Sequence, residues 1–62
     1  MDIRDIKRIA TAEEAEEYAK DWQNWQSEQE LSYSEIIEWE IALEDLANTF
    51  GLYDAFKENG II

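Results

Sequence analysis

Carboxylates are the only side chains in this sequence numerous and close enough to suggest chemistry. Sixteen Asp and Glu face five Lys and Arg, a net charge of −11, and His and Cys are both absent. Glu40 and Glu44 stand at i, i+4, and Glu35 and Glu38 at i, i+3. Those spacings put each pair on one face of a helix. Di-metal bundles use such pairs but complete the ligand set with Glu-x-x-His, and here the His is missing. A calcium loop needs alternating Asp/Asn ligands around a Gly, and none is present. Without Cys there is no thiolate metal site and no disulfide. Two carboxylates alone can cleave a glycoside, given a pocket that separates and buries them. A chain of 62 residues has little room for one. The sequence therefore points to a non-enzymatic protein with no catalytic residue, no metal site and no cofactor.

The charge is unevenly spread. Residues 1–8 hold Arg4, Lys7 and Arg8 against Asp2 and Asp5, a balance of +1, which leaves −12 on residues 9–62. From Asp21 to Phe56 there are nine acids and no base. On electrostatic grounds this excludes nucleic acid and an anionic membrane as direct partners and favours a basic protein partner. Carboxylates three and four residues apart on a helix lie about 5–6 Å from one another. That density is comparable to the charge along a nucleic-acid backbone. A rigid acidic face can thus occupy the site where a protein holds DNA or RNA; the plain alternative is a surface that serves solubility. Glu35, Glu38, Glu44 and Asp45 are the candidate partner-binding acids. Glu44 and Asp45 lie toward the negative end of their helix, with no Lys or Arg on it to offset them.

Those acids must be positioned by Tyr33 to Phe50, the predicted central helix. At 100° per residue Ile36, Trp39, Leu43, Leu46, Ala47 and Phe50 form one apolar stripe. Ser32 and Glu35 fit a capping box, and Gly51 follows the stripe where a left-handed residue ends a helix. A first helix is predicted from Ala12 to Gln29, with Thr11 and Glu14 as its capping box. Its apolar face is Ala15, Tyr18, Ala19, Trp22 and Trp25. The short connection at Glu30–Ser32 makes the two helices antiparallel neighbours. Leu52, Tyr53 and Phe56 form the apolar edge of a short third helix ended by Gly60, and the isoleucines at 61 and 62 should tuck in. At the other end Ile3, Ile6 and Ile9 recur every third residue, as in a short helix or packed arm. Proline is absent and glycine occurs only at 51 and 60, each near a helix end. The expected fold is all-α: one domain over residues 1–62, an antiparallel hairpin closed by a short C-terminal helix and an N-terminal arm, a small three-helix bundle.

Two features exceed what a core requires. Trp25 and Trp39 sit off-centre on their stripes, and an edge tryptophan is either core or binding anchor. Ile37 and Ile41 form a second apolar strip, about 100° and 140° round the helix from Ile36. The expectation is that the isoleucine-rich termini cover that strip and enclose Glu40 beside Arg4 or Lys7. The alternative is that another molecule covers it, a second copy included.

The run DWQNWQSEQELSYSE at 21–35 and the ending FKENGII at 56–62 resemble a family of short acidic open reading frames of phages and conjugative elements of Gram-positive bacteria. The resemblance spans most of the chain and assigns no functional residue. It implies a bacterial cytoplasmic setting and an accessory role, among proteins that include inhibitors mimicking nucleic acid. No apolar stretch after Met1 suggests a signal peptide, and no apolar run approaches membrane-spanning length.

Overall fold

Thr11 and Ser32 start the two long helices as their side chains dictate. In the computed structural model, which covers residues 1–62, Thr11 Oγ1 accepts from the Glu14 N–H at 3.2 Å and Ser32 Oγ from the Glu35 N–H at 3.3 Å. The helices they open are α1, Ala12–Ser27, and α2, Tyr33–Phe50; α3, Tyr53–Glu58, follows. No strand is present, and the fold is all-α. α1 stops two residues short of its expected end at Gln29. The Ser27 hydroxyl donates to the Asn24 carbonyl at 2.8 Å, and Glu28 would place a carboxylate on the negative helix terminus.

α2 contacts α1, α3 and the N-terminal segment. Eighteen residues make a helix about 27 Å long, close to the molecule's longest dimension of 29 Å. Every other element therefore packs along it. The core contains only apolar residues: Ala15, Ala19 and Trp22 of α1, Trp39, Leu43, Leu46 and Ala47 of α2, Phe56 of α3, and Ile61. The alanines let α1 approach α2 closely, and Leu43 and Phe56 are the largest wholly enclosed side chains.

Trp39, off-centre on its stripe, is core rather than an exposed anchor. It is 5% exposed, and the rings of Tyr18, Trp22 and Trp25 surround it at centroid distances of 6.4, 6.0 and 5.7 Å. The wheel of α2 alone cannot show that three α1 aromatics converge on one partner. Within the cluster, Trp22 Nε1 is buried with no hydrogen-bond acceptor. An unpaired buried donor costs about 1–3 kcal/mol. Trp22→Phe deletes that donor and keeps a six-membered ring, so the packing loss and the relief offset. The expected change in urea-denaturation stability is under about 1 kcal/mol; a loss above about 3 kcal/mol, the range of a full truncation, would show that indole packing dominates.

Both glycines close a helix with a positive φ. Gly51 (φ 67°) lets the Leu52 N–H reach the Ala47 carbonyl at 2.7 Å. Gly60 (φ 72°) does the same for Ile61 N–H and Phe56 carbonyl at 2.8 Å. The second of these motifs turns Ile61 back onto Phe56 and seats it in the core. Gln23 Nε2 donates to the Asn59 carbonyl at 2.7 Å and fixes the end of α3 to α1.

The N-terminal segment is a 3₁₀ helix, Ile3–Arg8. Side chains three apart eclipse in a 3₁₀ helix, so Ile3 and Ile6 line up, and Ile9, the extended residue just past the helix, lines the same groove. That line lies beside Ala42, Leu46, Thr49 and Phe50 of α2. It does not cover Ile37 and Ile41, which stay exposed, and Glu40 is exposed as well. The expected cover over that strip is therefore corrected. Arg4 turns instead to Asp2, with Nη2 2.9 Å from Oδ2. The hydrogen bonds from the Arg4 side chain and backbone N–H hold the Asp2 carboxyl down at about 2.

The Tyr18 hydroxyl donates to the Asp2 carbonyl at 2.9 Å and ties this arm to α1. Burial, with the charges of Asp5 and Asp2, pushes the Tyr18 hydroxyl up to about 12. The fold thus favours the neutral phenol. Its contribution to stability is complete below about pH 10, the unfolded tyrosine value, and is lost as pH rises through about 12. The ultraviolet titration difference between the native chain and Tyr18→Phe is expected to be centred near 12. A midpoint near about 10 would mean the arm is undocked in solution.

Candidate functional site

α2 supplies the acids and leaves them free. Glu35, Glu38, Glu40, Glu44 and Asp45 are all exposed, and the helix carries no Lys or Arg. The molecule's ion pair is the arm's own Arg4–Asp2, so no α2 carboxylate has a cationic partner. Glu35 alone accepts a side-chain hydrogen bond, from Ser32 Oγ at 3.1 Å. No carboxylate is buried, and no three acids converge where a metal ion would be held. With one exposed pair against so many unpaired like charges, repulsion outweighs attraction. Moderate salt is expected to raise the melting temperature followed by circular dichroism. A fall would show that attractive pairs dominate.

Six of the seven candidate residues fall in three places, and the seventh, Glu44, is exposed and lines no groove. Trp25, half-buried, meets Glu35 and Glu38 in a groove of about 470 Å³ at the turn between α1 and α2, with Leu31, Trp39 and Glu30. Asp45, four residues beyond Ile41, borders a groove of about 510 Å³ that Arg4 and Lys7 of the arm also line. Ile37 and Ile41 occupy a third place, on the bare side of α2, where they are 37% and 61% exposed.

Tyr33 belongs with them and was not among the sequence candidates. It is 79% exposed and precedes Ile37 by four residues, as Ile37 precedes Ile41. The three stand in one row of i, i+4, i+8, a ridge about 12 Å long along the helix. The spacing was readable in the sequence; its significance depends on knowing that the arm docks elsewhere. Asp45, four residues after Ile41, stands at the C-terminal end of the row, Glu40 and Glu44 flank one side, and Ser34 and Glu38 flank the other. The row is therefore an apolar ridge in an acidic frame.

No helix is long and apolar enough to cross a membrane. The chain matches no protein family, no curated protein and no solved structure.

Proposed function

We propose that this is a non-enzymatic acidic interaction protein that binds a basic, nucleic-acid-binding protein and occupies its nucleic-acid site. The supporting observation is that α2 carries no Lys or Arg, while its five carboxylates are all exposed and none is ion-paired. Unpaired charges on a rigid helix cost stability and are ready to meet a partner's Lys and Arg without first breaking internal pairs. The resemblance to short acidic frames of phages and conjugative elements accords with this reading and suggests a bacterial cytoplasmic setting.

Capture from a bacterial lysate at low and high salt tests it, with duplex DNA as competitor. The bound protein is expected to be basic, to elute at high salt and to be displaced by DNA. A variant carrying Glu38→Gln, Glu40→Gln, Glu44→Gln and Asp45→Asn should capture nothing. Capture that survives high salt and ignores DNA would overturn the reading. The exposed Ile37 and Ile41 favour a second reading, a small assembly module that dimerises through them. Sedimentation of the intact chain distinguishes the two.

A further inference from the structure

We infer that the Tyr33–Ile37–Ile41 row is the docking ridge for a cationic amphipathic helix of the partner. This inference rests on the acidic-interaction reading and names the element it engages. Three observations carry it. The row is apolar and open at both ends, with Tyr33 79% and Ile41 61% exposed about a partly covered Ile37, because the arm packs beside Ala42 and Phe50 instead. Its shape is a ridge of side chains at i, i+4, i+8, and such ridges seat in the grooves between side chains of a second helix. A strand would need free backbone donors and acceptors, and α2 offers none along its length because its own ladder uses them. Finally, Glu38, Glu40 and Glu44 frame the ridge and no base lies on the helix, so the complementary surface is apolar at its centre and positive at its edges.

A second copy fits this frame poorly. Pairing two ridges would bring Glu38, Glu40 and Glu44 of both copies together, in molecules that each carry −11. A contact two helical turns long also falls well short of the roughly 800 Å² per partner of a stable interface, so apolar burial cannot outweigh that repulsion. With a basic helix the same carboxylates become attractive.

The test uses two synthetic helical peptides of identical leucine and lysine composition, labelled for fluorescence anisotropy. One places its leucines at every third and fourth position along a single face; the other scatters them around the helix. At about 0.15 M salt the native chain is expected to bind the first at least about tenfold more tightly than the second. Tyr33→Ser with Ile41→Ser, at the two most exposed positions of the row, should remove that preference and leave the helical signal unchanged. Equal binding of both peptides to the native chain would overturn the docking ridge and leave the electrostatic reading standing. Failure to bind either peptide even at low salt would overturn both. A native chain that sediments as a dimer and becomes monomeric with Ile41→Ser would overturn the inference by making the occupant a second copy.

Discussion

Trp39→Ala is expected to cost about 3–5 kcal/mol, the range for removing a buried large aromatic. For a chain of 62 residues the whole folding free energy is roughly 3–9 kcal/mol at typical per-residue stability. The variant should therefore lose between about a third and all of that stability. Trp39 is the α2 member of every aromatic pair in the molecule, and all three partners lie on α1. Its loss thus removes the contact between the two long helices at their turn end, and no disulfide holds them together. Urea denaturation followed by far-ultraviolet circular dichroism measures the effect. Trp25→Ala, at a half-buried position, should cost clearly less. A loss below about 1 kcal/mol for Trp39→Ala, the level of an average substitution, would mean that Ala19, Leu43 and Phe56 hold the hairpin without the aromatic cluster.

What was legible in the sequence was mostly local. Thr11, Ser32, Gly51 and Gly60 act through hydrogen bonds or a φ value within a few residues of themselves, so their types mark helix ends directly. The stripe of α2 was legible because its period is strong over the full helix. The arm was harder. Ile3, Ile6 and Ile9 announce a period of three, which belongs to a 3₁₀ helix, but nothing in that period says which side of α2 receives it. The side is decided by small residues, Ala42 and Thr49, that leave a depression beside Leu46 and Phe50, and by the Tyr18 hydroxyl reaching Asp2. Both are tertiary facts. The misplacement of the arm carried over to the site: covered isoleucines would have ended the ridge, and Glu40 would have had a cation beside it. The acidic face needed no tertiary information, because a helix with five acids and no base cannot satisfy them on itself.

Leu43 and Ile41 are two residues apart on one helix, and their replacement by alanine is expected to have opposite consequences. Leu43 is wholly enclosed; Leu43→Ala should cost about 2–5 kcal/mol, enough to unfold a domain this small. Ile41 is 61% exposed, and alanine is the better helix former by a few tenths of a kcal/mol. Ile41→Ala should therefore leave stability unchanged within about 0.5 kcal/mol, or raise it slightly. Glu38→Ala, on the same outer surface, should also be near neutral. Urea midpoints for the three variants, at constant denaturant slope, settle the rotation of α2. Equal losses at 41 and 43 would mean that the helix is turned so that the ridge is core. The expected pattern has a further use. A side chain whose removal leaves the fold intact, or tightens it, gives binding measurements free of unfolding. Any fall in peptide affinity on Ile41→Ala then belongs to the ridge itself.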